Sequence, residues 1–304
     1  MAAASRQSTS VHGDPAQAES FKSRITVDQF HHFSEDLASS FELSCRGDDT
    51  SGVATFLRQQ NQADETMLAP GLIAAVQDGA LHVLKLLLDN YSLHDWQRSA
   101  IRSSLPDAVK SACIFARQDS LQALLALGGE QATAMAAGLT AATKAVGWGG
   151  HAHLIPLLAS LDGEQGGAVR AGLGDALHGA SYMNHPRTVS ALLALAGPHA
   201  AAVTGGLTQA TQAGSQSGQA DSLALLLAQE GERGSAVTAG LREAVEAAAQ
   251  SGHEDALRML LALKGEQATA VTAGLAAATK AAGWGGTRTS SPCWRPWMGS
   301  RGVL

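Results

Sequence analysis

A chain of 304 residues with 45% hydrophobic and only 16% charged side chains, at a mean hydropathy of 0.00, can bury a substantial core and is too apolar to be disordered throughout. Its 33 glycines and 4% aromatic content call for a core of closely packed Leu, Ala and Val, which suits paired helices better than a sheet. The formal net charge of −6 argues against a general nucleic-acid-binding surface, and no uncharged apolar run approaches the ~18 residues of a membrane helix.

Residues 1–28 are rich in Ala, Ser, Gln and Gly, carry no period, and are expected to form a disordered tail. They lack the basic-then-apolar layout of a secretory signal, so the expectation is a cytoplasmic chain, with export into a host cell left open. Cys45, Cys113 and Cys293 are isolated and odd in number, which fits neither a disulfide framework nor a CxxC metal pair. The first two lie in apolar periodic segments and read as buried small hydrophobes.

From residue 29 to 286 the chain repeats itself. Gly-Leu falls at Gly138-Leu139, Gly172-Leu173, Gly206-Leu207, Gly240-Leu241 and Gly274-Leu275, each 34 residues after the last. Gly71-Leu72 continues the series upstream, with Ser104-Leu105 standing in for one copy and Asp36-Leu37 extending it at a slightly different spacing. Apolar pairs mark the second half of each copy, at Phe56-Leu57, Leu87-Leu88, Leu124-Leu125, Leu157-Leu158, Leu192-Leu193, Leu226-Leu227 and Leu260-Leu261. Residues 129–150 and 265–286 differ at only four of 22 positions, the mark of duplication within a tandem array. Each copy thus reads as two apolar stretches of about 10 to 14 residues, helix length, and the array as about seven full helical pairs and a partial one.

The copy at 241–263 shows the physical pattern. Val245, Ala248 and Ala249 form the stripe of a first helix, Gly252 supplies a turn without Cβ cost, and His253 starts the next element. Ala256, Leu257, Leu260 and Leu261 form the stripe of a second helix, which Gly265 is expected to terminate; Gly129, Gly163, Gly197 and Gly231 lie in phase with it. Neither helix can bury its stripe alone. Stacked copies can, at roughly 1.5–3 kcal/mol for each large apolar side chain removed from water.

GLIAAVQDGALHVLKLLLDN at 71–90, GQADSLALLLAQEG at 218–231 and GHEDALRMLLALKG at 252–265 resemble the ankyrin-repeat family. The resemblance covers about four-fifths of the chain and is strongest in the second helices. It places the family's inter-helix glycine at Gly79, Gly218 and Gly252, replaced by Ala116 and Asn184, and its turn-bracing histidine at His185 and His253, absent at Ala80 and Gln219. The chain departs from the family in its 34-residue period and in the Thr-Pro-Leu-His motif, reduced to Pro70-Gly71-Leu72 once. Connections such as Gly265-Glu266-Gln267-Ala268-Thr269 also lack the Asp/Asn/Gly-rich hairpin tip. The expectation is an all-α, right-handed αα solenoid, a divergent ankyrin-like stack whose first helices are lengthened at the expense of the hairpins. Bacterial DNA-reading effector repeats share the period, but their copies are nearly identical apart from a variable pair, and the acidic charge opposes DNA binding.

Walker, dinucleotide-binding, HExxH and Gly-x-Ser-x-Gly motifs are absent, so neither an enzyme nor a cofactor is expected. His151, His153, His178 and His185 offer no third-ligand spacing for a metal and read as turn or surface histidines. Gly147-Trp148-Gly149-Gly150 follows a helix rather than opening one after a strand, which suits a turn better than a phosphate cradle. Variation concentrates at the ends of the first helices: Gln77-Asp78, Ile114-Phe115, Trp148, Tyr182-Met183, Gln216-Ser217 and Gln250-Ser251. The resemblance places this end on the concave, partner-binding face. Phe115, Trp148, Tyr182 and Met183 are therefore candidate contacts for a protein partner, against the alternative that they fill core left vacant by alanine. Neither nucleic acid nor a membrane is expected as partner.

Residues 287–304, with Pro292, Pro296 and no leucine pair, break the pattern. Either Trp294 and Trp297 cap the open end or the last copy is cut short, in which case an unpaired face allows association between copies of the chain.

Overall fold

A computed structural model of the protein describes residues 39–59, 65–89 and 95–284, and every regular element among them is helical. The expectations for residues 1–28 and 287–304, including Cys293, Trp294 and Trp297, lie outside the described residues. Two helices, α1 at 39–46 and α2 at Thr50–Gln59, precede an alternation of long and short ones. These are α3 (Glu65–Asp78), α4 (Leu81–Asp89), α5 (Asp95–Ile114), α6 (Gln118–Leu125), α7 (Gly129–Gly149), α8 (Ile155–Ala159), α9 (Gly163–Tyr182) and α10 (Pro186–Leu193). The alternation continues through α11 (Gly197–Gln216), α12 (Ala220–Leu227), α13 (Gly231–Ser251), α14 (Glu254–Leu261) and α15 (Glu266–Trp284). A single 3-10 turn, Ala152–Leu154, leads directly into α8.

The paired stretches are far from equal. From α5 onward the long helices run 19 to 21 residues, while α6, α10, α12 and α14 have 8 each. Hydropathy hides this because the first two turns of a long helix, such as Gly163 to Arg170 in α9, are built mainly from Gly, Ala, Gln and Glu, with Val169 the one large apolar side chain. Lengthened first helices are what the weak hairpin signal implied. Only Ala126, Leu127 and Gly128 separate α6 from α7, leaving no room for a projecting finger. Gly265 does not end the preceding short helix, which stops at Leu261. It and its equivalents Gly129, Gly163, Gly197 and Gly231 adopt φ between +58° and +64° and form the corner from which the next long helix departs.

Each long helix packs chiefly on the long helices before and after it, and short helices stack on short helices, so two layers build one continuous core. Leu105, Leu139, Leu173, Leu207 and Leu241, the leucines of the periodic dipeptide, are all buried. So is the column Leu124, Leu158, Leu192, Leu226 and Leu260 in the short layer. Leu257 and Leu261 are partly buried at its edge.

The glycines of the dipeptide set the spacing of the long layer. A Cβ on Gly172, Gly206, Gly240 or Gly274 would lie 2.5–2.7 Å from backbone atoms of residues 140, 174, 208 and 242 in the preceding long helix, and at Gly138 it would meet Pro106 nearer still. The offset is 32 residues every time. Successive long helices therefore touch backbone to backbone where no side chain larger than hydrogen fits. Thr140 and Thr208 reinforce the same seam, each donating its hydroxyl to a carbonyl of the next long helix, Ala168 or Ala236, at 2.9 Å.

Among the described residues no helix is long and apolar enough to cross a membrane.

Gly205 and Gly206 separate the two roles of glycine. Gly206→Ala is expected to destabilise the chain by about 1–3 kcal/mol through overpacking against Gly174. Gly205→Ala, with nothing within 4 Å of its added methyl, is expected to stabilise α11 by about 0.5–1 kcal/mol. Urea unfolding of both variants checks the pair, and equal effects would contradict the seam.

Candidate functional site

The end of each long helix is closed by one residue in the left-handed region: Gly79, Gly150, Gly218 and Gly252 at φ +72° to +77°, and Asp48, Ala116 and Asn184 at φ +55°. Gly79, Gly218, Gly252, Ala116 and Asn184 are the inter-helix positions of the resemblance; Gly150 and Asp48 join them in the structure. Ala116 adopts the same conformation without a side-chain cap of its own. Asp48 and Asn184 use theirs: Asp48 accepts from the Val83 backbone N–H at 2.9 Å and lies 2.6 Å from His82 Nδ1, and Asn184 accepts from the Ser222 hydroxyl at 3.2 Å. Burial pushes the Asp48 carboxyl upward, but the bonds from Val83 and His82 outweigh it and hold the group below its ordinary value.

The next copy locks each turn from outside. The His151 ring donates from Nε2 to the Ile114 carbonyl, and His185 to that of Trp148, both at 3.1 Å. Arg117 Nε donates to the Gln77 carbonyl at 2.7 Å. The carbonyl ends of α3, α5 and α7 are thereby satisfied across the copy boundary. His185 is the expected brace; His151 and Arg117 fill the same role in copies where the family pattern did not point to it. His151 and His153 face each other edge-on with centroids 6.2 Å apart, and no group of three or more potential ligands that could hold a metal occurs among the described residues.

The variable residues sit on this braced rim. Phe115 and Met183 are each 48% exposed, Trp148 43% and Tyr182 38%, and Ile114, which the candidate set omitted, is 44% exposed. Trp148 and Tyr182 are brought together, with ring centroids 5.9 Å apart and planes inclined at 50°. His178, one turn earlier on α9, stands equally close to the indole, at 5.9 Å. One face of Trp148 rests on Gly179, where a Cβ would come within 2.7 Å of the ring. The indole therefore both fills a gap between α7 and α9 and presents a free edge. Phe115 and Met183 occupy the same step just past the helix end in their copies, with Gly149 between them in sequence phase.

The rim continues into an exposed to half-buried stripe along the long helices. In α5 it reads Ser103, Asp107, Lys110 and Ile114; in α7, Ala137, Ala141, Lys144 and Trp148; in α9, Ala171, Asp175, His178 and Tyr182. Lys144 pairs with Asp175 across copies at 2.5 Å. These positions recur at 3- and 4-residue intervals, which puts them on one helix face. Lys110 and Lys144 went unremarked in the sequence, and His178 was weighed only as a metal ligand, because only the end positions were compared from copy to copy.

The buried thiols offer no chemistry. Burial pushes Cys45, with help from Glu42, and Cys113 up to about 12, so neither is a nucleophile near neutrality.

No family model matches the chain, and neither a curated protein nor a solved structure matches it.

Because folding favours the neutral thiol, the contribution of Cys45 and Cys113 is fully present below the unfolded-state value of about 8.5 and is lost as pH rises toward about 12. Both thiols are expected to resist a maleimide at pH 7.5 and to react fully in guanidinium, read by mass spectrometry. Rapid native labelling of either would contradict its burial.

Proposed function

We propose that this chain is a non-catalytic protein–protein interaction scaffold, a divergent ankyrin-like right-handed stack acting in the cytoplasm. Its partner lies along the concave face formed by the long helices. One observation carries the reading: among the described residues, the exposed large hydrophobics other than Leu43 of α1, namely Ile114, Phe115, Trp148, Tyr182 and Met183, fall in three successive copies. Gln77-Asp78 precedes them and Gln216-Ser217 and Gln250-Ser251 follow at the equivalent positions. A core requirement common to all copies would repeat in all of them. Large side chains clustered on a rigid surface and bounded by polar equivalents have the composition of an interface centre. Kinship with ankyrin repeats is supported by the buried leucine columns and the left-handed turn positions, not by the connections.

A second reading, association between copies of the chain, draws on α15. In the preceding long helices, residues 106, 140, 174, 208 and 242 lie under a glycine of the next helix. Ala276, the equivalent in α15, is exposed. Light scattering on the full chain at micromolar concentration distinguishes a self-assembling stack from a monomer awaiting a partner.

Phe115→Ala and Met183→Ala remove half-exposed side chains and are expected to cost under about 1 kcal/mol each in stability. Together they are expected to weaken capture of a specific partner by at least about tenfold. Affinity capture with intact and variant full-length chains, alongside thermal melts, checks both halves. Undiminished capture of the same partners would contradict the assignment.

A further inference from the structure

The whole chain carries a net charge of −6, yet the surface around the aromatic rim reverses that sign. Over the outward stripes of α5, α7 and α9, the turns that follow them and the first turns of α6 and α10, the cations are Lys110, Arg117, Lys144 and Arg187, against Asp107, Asp119 and Asp175. Four positive charges against three negative give +1 with histidine neutral, and His151, His153, His178 and His185 lie in the same region. Asp175 is engaged by Lys144, which leaves exposed Lys110, Arg117 and Arg187 against exposed Asp107 and Asp119 with no ion-pair partner among the described residues. Arg117 spends its Nε on the Gln77 carbonyl and stays exposed.

Farther along the same stripe the chemistry changes. In α11 it is Gln209, Gln212 and Gln216, and in α13 it becomes Glu243 and Glu246. Arg242 lies beside Glu246 at 3.2 Å, but Glu243 carries no such neighbour among the described residues. The surface therefore runs from aromatic with free cations, through neutral amides, to acidic.

We propose that the partner segment is an acidic amphipathic peptide. Its apolar residues seat on Trp148, Tyr182 and Phe115, and its carboxylates meet Lys110, Arg117 and Arg187. This rests on the interaction reading above and narrows it. Charge complementarity selects the occupant, because the groups left unpaired around the rim, Lys110, Arg117 and Arg187 against Asp107 and Asp119, carry an excess of positive charge that a basic segment would face. The acidic stripe of α13 repels the same peptide, which confines it to the three aromatic copies.

The probes are three fluorescent 12-residue peptides alternating Leu and Phe with Glu, Gln or Lys, titrated against the full-length chain by anisotropy. The glutamate peptide is expected to bind at least about tenfold tighter than the glutamine one, with the preference shrinking at high salt. Lys110→Glu combined with Arg187→Glu alters two exposed side chains and is expected to transfer the preference to the lysine peptide, with an unchanged circular dichroism spectrum. Equal binding of all three peptides, abolished by Phe115→Ala/Met183→Ala, would overturn the acidic-partner inference and leave the interaction surface standing. Binding indifferent to the Phe115→Ala/Met183→Ala change would overturn both. Labelled polyuridine displacing the glutamate peptide from this surface would replace the peptide with single-stranded RNA and overturn the inference.

Discussion

The structure depends on a backbone contact. From α7 to α15, every 34 residues a long helix presents a glycine to the helix before it, and the two main chains meet where an added methyl would collide with carbonyls and α-carbons. Such proximity lets alanine-rich surfaces interdigitate without voids, so a chain with 4% aromatic residues can still fill its core. It also fixes the step from copy to copy. Leucine columns, cross-copy threonine bonds and turn braces all presuppose that step.

Once the step is fixed, the exposed side of the long layer becomes a rigid lattice on which each copy can change a few residues without disturbing its neighbours. Three copies use that freedom to display Ile114, Phe115, Trp148, Tyr182 and Met183, and another to display Glu243 and Glu246. The braces from His151 and His185 hold the ends of α5 and α7, which carry Ile114, Phe115 and Trp148. Side chains ordered in this way lose less freedom on meeting a partner.

The period, the helical class and the short connections were legible in the sequence because each depends on local pattern: Gly-Leu in phase, paired leucines, and no hairpin tip in segments such as Gly265 to Thr269. The aromatic rim was legible as well, since copies aligned by period show which positions vary. Helix lengths were not. A helix N-terminal half such as Gly163 to Arg170 has little hydropathic contrast, and Pro70 and Pro106 sit inside α3 and α5 although proline usually marks a boundary. The meaning of the Gly-Leu glycine was hidden for a related reason. Within its own helix it only weakens propensity, and its benefit lies in a contact 32 residues away. Arg117 and His151 were missed as braces because the bond needs only a donor of the right reach, so residue type is not conserved along the array of copies.

Excising one complete copy tests the account most directly. Deleting residues 197–230 joins Ala196 to Gly231, keeps a left-handed corner at the junction, and brings Gly240 to face Gly174 as Gly206 does in the intact chain. The shortened chain should melt cooperatively, with helical circular dichroism per residue unchanged. Deleting 201–230 instead joins Ala200 to Gly231, puts one extra helical turn between the Gly197 corner and Gly240, and should lower the melting temperature sharply. Equal stability of the two deletions, or collapse of the 34-residue one, would contradict a solenoid stepped by its glycines.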